Sequence, residues 1–403
     1  MASAQPPDSA RAQPPAGDLA SENRLAGLAK VFLKLGLLGF GGPAAHIGMM
    51  EDEVVTRRGW LDRDHFLDLV GATNLIPGPN STEMAIHIGY VRAGLAGWLV
   101  AGLSFILPAF CLTTGLAWAY VTYGSLPAVE PFLAGIKPAV VAIILAAVLQ
   151  LGRTAVKGWR MAPIGVLVIG LVLAGINEVL ALLIGGVAGM LWLRWPRDKG
   201  PAAGALASAF TGLLWAGERL WPTLQQAAEL SLPALGWFFL KVGSVLYGSG
   251  YVLVAFLEGG LVNDYGWLTQ AQLLDAISAG QLTPGPIMST SAFIGYMLAG
   301  VPGAAVSAGA VFLPSFLFVL LLNPLIPRLR QSDWSAAFLD AVNVSAVALM
   351  AAVSLRLGAA TLINPVAWLI GLVALALLLR WKVASSWIVV GGGLVGGVLQ
   401  WLA

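Results

Sequence analysis

The sequence predicts an all-α polytopic membrane protein built from two inverted-topology repeats, each opening with Gly/Pro-broken, re-entrant helical hairpins. Three observations carry that expectation: composition, internal repetition, and loop charge that alternates between the copies. Hydrophobic residues make up 58% of the 403 and charged ones only 10%, against about 25% charged in a soluble domain. Mean hydropathy is +0.83. The 22 basic and 20 acidic side chains nearly cancel, and no basic stripe or aromatic-studded motif marks a nucleic-acid surface. With 49 Gly and 23 Pro in so apolar a chain, the helices must be interrupted repeatedly.

The repeat is legible residue by residue. At an offset of 207, Phe32-Leu33-Lys34-x-Gly36 meets Phe239-Leu240-Lys241-x-Gly243, and Gly41, Glu51 and Gly59-Trp60-Leu61 meet Gly248, Glu258 and Gly266-Trp267-Leu268. Leu67-Asp68 and Pro77-Gly78-Pro79 meet Leu274-Asp275 and Pro284-Gly285-Pro286. At an offset of 206, Gly89-Tyr90, Ala93-Gly94 and Leu107-Pro108-x-Phe110 find counterparts in Gly295-Tyr296, Ala299-Gly300 and Leu313-Pro314-x-Phe316. Chance supplies Leu and Gly matches in such a chain, but not Lys, Glu, Asp, Trp and a whole PGP turn in register.

Loop charge then sets the relative orientation, because cytoplasmic loops collect Lys and Arg. The segment holding Arg57, Arg58, Arg63 and Arg92 is matched by one without cations between Glu258 and Ala299. The bias reverses at Val121 to Glu130 against Arg328 and Arg330. It reverses again at Arg153, Lys157 and Arg160 against Gly358 to Pro365, and once more at Asn177-Glu178 against Arg380 and Lys382. Matched loops on opposite sides mean inverted copies. The expected organisation is a disordered, Pro/Ala-rich tail over 1–24, which lacks the apolar core of a signal peptide, a first repeat over 25–199, a linker over 200–230 and a second repeat over 231–403. Inversion needs an odd number of crossings between equivalent points, so Ala202 to Gly217 is expected to cross, a surface amphipathic helix being the other reading.

Within the first copy, 94–120, 132–152, 161–176 and 178–194 are long and apolar enough to cross. The stretch 25–56 breaks at Gly39-Phe-Gly-Gly-Pro43 and 61–92 at Pro77-Gly78-Pro79. Re-entrant hairpins place every basic loop in the cytoplasm; merely kinked spans do not. Irregular backbone at membrane depth is tolerated only when buried in protein or lining a polar cavity, so the hairpin tips are the candidate binding site. A helix beginning there presents unpaired N–H groups and a positive dipole end to an anion. The expected anion-binding set is Gly41, Gly42, Pro43, Pro77, Gly78, Pro79, Asn80 and Ser81, with Gly248, Ser249, Pro284, Gly285, Pro286, Ser289 and Thr290 from the second copy. Pro43 suits a first helical position, and Asn80-Ser81-Thr82 offers capping side chains.

Among charged residues, the matched Lys34 and Lys241 either face the cavity or snorkel, and Lys137 is expected to snorkel. Asp68, Asp275, Glu51 and Glu258 read as gate or structural groups near hairpin bases. Glu83 and His87, four apart on one helical face, have no acid or histidine at matched places and are the proton-coupling candidates; His46 is a weaker one, and His65 lies in the basic loop. The single Cys111 and the three His form no metal motif, and neither a metal nor a cofactor is expected. Gly185/Gly189 and Gly392/Gly396 have the spacing of close helix packing, and Trp60, Trp192, Trp195, Trp267, Trp381 and Trp401 read as interfacial anchors.

The run Phe32-Leu-Lys-Leu-Gly36, Gly39-Phe-Gly-Gly-Pro43, Gly59-Trp60-Leu61 and Leu75-Ile-Pro-Gly-Pro79 resembles the chromate ion transporter family, over about residues 25–403. The second copy departs from it with Gly248-Ser249-Gly250-Tyr251 at the first tip. The resemblance implies a bacterial inner-membrane chromate-resistance protein exporting chromate, with sulfate as a related ligand. The residues alone reach only a small-anion transporter, for which a secondary transporter with alternating access is the leading expectation. A passive anion channel or a sulfate transporter on the same plan stays open. Expected partners are the anion, the lipid bilayer and, as one option, a second copy in a homodimer, with no nucleic acid. No Walker A pattern and no H-E-x-x-H occur, so neither ATP hydrolysis nor a zinc hydrolase is expected.

Overall fold

A computed structural model describes residues 24–39, 43–124, 126, 129–194, 229–248, 250–284, 289–322 and 332–402. The expected tail, nearly all of the linker with its additional crossing, and Gly41, Gly42, Ser249, Gly285 and Pro286 lie outside the described residues. The described chain is helical, without strands. The first copy contributes α1 (Arg24–Leu38), α2 (Pro43–Glu51), α3 (Arg63–Thr73), α4 (Asn80–Tyr123), α5 (Glu130–Ala155), α6 (Ala162–Leu173) and α7 (Glu178–Arg194). The second repeats them as α8 (Leu232–Val245), α9 (Leu253–Leu257), α10 (Gln270–Leu282), α11 (Thr290–Leu322), α12 (Asp333–Thr361), α13 (Pro365–Arg380) and α14 (Ser385–Leu402). Wide π-helical turns, Asp52–Arg57 and Glu258–Asp264, follow α2 and α9 at matched places.

Local chemistry explains several starts. Asp62 accepts the His65 N–H ahead of α3, Thr269 and Gln272 form a capping box on α10, and Asn364 caps α13 ahead of Pro365.

The 44-residue run α4 is not one helix. Ala93 (φ −148°, ψ 27°) and Gly94 (φ 59°, ψ −146°) leave the helical region, and Gly89 and Gly97 lie so close that a Cβ on either would strike the other's carbonyl oxygen. Residues eight apart stand about 12 Å apart along a straight helix, so the chain reverses here. The second copy reverses identically at Ala299-Gly300, with Gly295 against Gly303. Helix α3, at 11 residues, rises only about 16 Å, half of a hydrocarbon core of about 30 Å. The Arg92 guanidinium stacks 4.8 Å from the Trp60 ring, which brings the two ends of the 61–92 segment together. Residues 61–92 are a re-entrant hairpin, as expected, and 95–123 is the first full span.

The copies are inverted. Lys157, just past α5, pairs with Asp340 near the start of α12 at 2.6 Å, while Gly358 near the end of α12 lies against Val141 in the first half of α5. These matched helices therefore run antiparallel. The copies are also interlocked: α5 packs on α13 and α14, and α12 reciprocally on α6 and α7. The glycine pairs make this approach possible. Gly135 meets Gly392 and Gly396 backbone to backbone, and Ala341 and Ser345 occupy the matching grooves at Gly189 and Gly185.

Candidate functional site: a polar cavity between opposed hairpin tips

Beside the first break of the first copy, His46 of α2 places its Nε2 2.8 Å from the Gly39 carbonyl and meets the Phe105 ring edge-on at 5.5 Å. Buried and anchored, His46 braces the break. Pro43 is the first residue of α2, the position that tolerates a missing N–H. The second tip, 74–79, turns through Gly78 at φ +146°, where a Cβ would collide with the Glu83 carboxyl and the Ser315 hydroxyl. The Gly78 N–H donates to the Leu246 carbonyl at 2.7 Å, so a tip of one copy is hydrogen-bonded to a tip of the other near the centre of the molecule.

A cavity of about 210 Å³ opens beside this contact, lined by Asn74, Ile76 and Asn80 from the second tip, Gly248 and Val252 from the opposing tip, and Asn343 from α12. Leu151 and Thr154 of α5 complete its wall, flanked in sequence by Arg153 and Lys157. No acidic side chain lines it among the described residues. The N-terminus of α4 points here: Pro79 occupies the cap position without a side-chain cap, a correction to the capping expected from Asn80 to Thr82. The Thr82 and Glu83 N–H groups already donate to the Pro79 carbonyl, so the leading N–H groups that remain for a ligand are those of Asn80 and Ser81. Asn80 instead donates to the Asn74 side chain at 2.7 Å across the tip. Gly248 sits at φ +89°, and a Cβ there would come within 3.1 Å of Asn343 Oδ1. The sum is a neutral, amide-rich pocket at a helix N-terminus, suited to a small anion.

Of the expected binding set, Asn80 and Gly248 line this cavity, whereas Pro77, Gly78 and Pro79 form the adjoining turn and are not among its lining residues. Ser81, Ser289 and Thr290 are buried beside the tips, and Pro284 closes the described part of the second copy's second tip. The two lysines go elsewhere. Lys34 pairs with Glu53 at 2.9 Å and is about half exposed, and Lys241 lies 5.6 Å from the Phe238 ring and does not line the cavity. Glu51 pairs with Arg63 at 3.4 Å, and Asp68 is exposed. Asp275 is buried in an ion pair with Lys137 of the other copy, and Glu258 in one with Arg356 of its own copy. Glu83 is fully buried, and neither of its carboxyl oxygens nor His87 Nε2 has an ion-pair partner among the described residues. Among the cavity-lining residues not anticipated is Asn343. Continuing the 206 offset through Phe132/Phe338 and Leu133/Leu339 places it on Lys137, so a polar position recurring in two apolar helices was the available signal.

Inverted repeats whose broken hairpins meet around a polar cavity are an architecture shared by many membrane transporters. The chain belongs to the chromate transporter family: the family model described as Chromate transporter matches residues 26–190 and again 233–397. It is 33% identical over 411 residues to the chromate transport protein of Cupriavidus metallidurans, covering all of this chain and 99% of that one. It is 32% identical to a probable chromate transport protein of Synechococcus elongatus, over 93% of this chain and 95% of the relative. The chromate transport protein of Pseudomonas aeruginosa is also 32% identical, with 92% and 90% covered. No solved structure matches the chain.

Proposed function

We propose that this protein exports chromate from the cytoplasm across the bacterial inner membrane by alternating access, holding the anion in the cavity between the opposed tips. The observation that carries the reading is the acid-free, amide-lined cavity at the N-terminus of α4, where inverted copies touch through Gly78 and Leu246. Chromate is a tetrahedral oxyanion, and amide N–H groups arranged around it need no fixed counter-charge in the pocket. By the loop charges, the α5 end that forms the wall faces the cytoplasm, the side from which an exporter must load. Printed names of the full-length relatives support chromate as the substrate; sulfate, of the same shape and charge, is the competitor to test.

Glu83 is the coupling candidate, with His87 one turn on. Its carboxyl is buried against the Gly78 tip and Ser315, so a change in its protonation is felt where the copies meet. The test is chromate flux into proteoliposomes under an imposed pH gradient, with sulfate competing. Accumulation against the chromate gradient supports coupled transport, and mere dissipation favours a channel. Glu83→Gln is expected to flatten the pH dependence of flux; an unchanged profile removes Glu83 from the coupling path.

A further inference from the structure

Among the described residues, the two copies differ in how their hairpins are packed. Helix α10 of the second copy packs on α4 and α5 of the first, and α9 packs on α7. Their counterparts α3 and α2 make their substantial contacts within their own copy, on α4 and on each other. One hairpin pair is docked across the molecule while its twin stands away, and the cavity lies on the side of the twin, between Asn74 and Asn343.

Two polar clusters hold the docked side. Asp275 of α10, only 5% exposed, accepts the Tyr120 hydroxyl at 2.9 Å and lies 3.8 Å from the Lys137 ammonium. Both partners belong to the first copy. At the other cluster Arg356 of α12 reaches Glu258 at 3.3 Å and Glu178 of the first copy at 4.0 Å, and donates to the Val172 carbonyl. Gly259 lets the copies close, since a Cβ there would strike the Glu178 carboxylate. Buried ion pairs cost desolvation and add little net stability, yet breaking one partner is strongly unfavourable. That is the profile of a contact that selects one arrangement over another. Both clusters sit at the ends of spans facing away from the basic loops, hence on the outer face.

We infer that Asp275–Lys137–Tyr120 and Arg356–Glu178–Glu258 are the outer gate, that the conformer described is open to the cytoplasm, and that the opposite conformer docks α3 on α12, with Asp68 taking against Asn343 the place Asp275 holds against Lys137. The repeat register supports the exchange, for Asp68 matches Asp275 and Asn343 matches Lys137. The exchange is also unequal. The inner docking point pairs an aspartate with an amide and the outer one pairs it with an ammonium, so the outer gate is the tighter of the two and the resting transporter faces inward. When the outer gate opens, Glu178, Glu258 and Asp264, which line an outer cavity of about 360 Å³ with Arg356, surround the exit with negative charge and disfavour rebinding of an expelled anion. This inference rests on the transport reading above.

The test uses the full chain with Cys111→Ser and Asn343→Cys, labelled by a membrane-impermeant maleimide in inside-out and right-side-out vesicles, without any anion. With the gate intact, labelling is expected from the cytoplasmic side only. Asp275→Asn and Arg356→Gln together should raise labelling from the outside about tenfold and lower it from the inside. Should Asp275→Lys shift labelling outward and Lys137→Asp in the same chain restore it, the pair itself is the latch. Unchanged labelling in a well-folded Asp275→Asn/Arg356→Gln protein overturns the gate, as does outside labelling of the unmodified gate. Because labelling needs no chromate, a gate that behaves as described with no chromate flux would sink the substrate and leave the gate.

Discussion

Asn343 shows what one side chain contributes at the residue scale. Its carboxamide faces the Gly248 tip from a helix otherwise committed to packing, and a hydrogen bond to a charged ligand is worth about 1.5–3 kcal/mol. Asn343→Ala is therefore expected to raise the half-saturating chromate concentration by about tenfold or more, measured as initial flux in proteoliposomes. Lys34→Ala is the contrast. Lys34 is tied to Glu53 at 2.9 Å, away from the cavity, so its removal should leave that concentration within about twofold; a large rise would place the ammonium in the anion path. The sequence marked Lys34 and Lys241 because they match between copies, but a match reports a shared local environment and not proximity to the ligand. The glycines were more informative. Gly78 and Gly248 both adopt positive φ beside another chain segment, where a side chain has neither conformational room nor space.

The hairpins were legible at the scale of elements because the break residues themselves forbid continuous helix. Gly-Pro clusters at 39–43 and 77–79 end helices too short to cross. The reversal at Ala93-Gly94 was marked in the sequence by Arg92, which separates the 61–92 and 94–120 stretches, and by an Ala-Gly dipeptide repeated at 299–300; the five glycines and Pro108 of 80–123 did not by themselves single it out. What makes the reversal possible is the pair Gly89 and Gly97, whose backbones touch. Gly89→Val should force them apart and destabilise the fold by about 1–3 kcal/mol or more, read as a lower melting temperature in detergent. Gly115→Ala, beyond the reversal, where an added Cβ meets nothing within 4 Å, should be tolerated. Equal effects of the two would mean that the reversal does not depend on close backbone approach.

For the whole molecule, interlocking decides how the halves behave. Because α5 is clasped by α13 and α14, and α12 by α6 and α7, neither copy completes its own core. Residues 1–199 and 200–403 expressed separately are expected to yield little folded protein, whereas co-expression should restore a stable, transport-competent complex. A folded, monodisperse single half would contradict the clasp. The same interlocking gives Gly185/Gly189 and Gly392/Gly396 their use: they seat the last helix of each copy on the fifth helix of the other, inside one chain.

Composition, repeat register and loop charge were enough to establish the membrane class, the duplication and the inversion, because each depends on a sum over many residues that no single contact can reverse. The same was true of the broken hairpins, since Gly and Pro act through the backbone locally. Tertiary structure alone decided which polar groups share the cavity and which pair away from it. Asn74, Asn343 and Gly248 come from three segments far apart in the chain, and Asp275 and Asp68, equivalent in sequence, differ in burial because only one of their hairpins is docked. Matched sequences impose matched local structure, but the two copies are held in unlike positions, as the proposed alternating access requires, and that asymmetry resides in packing across the copies.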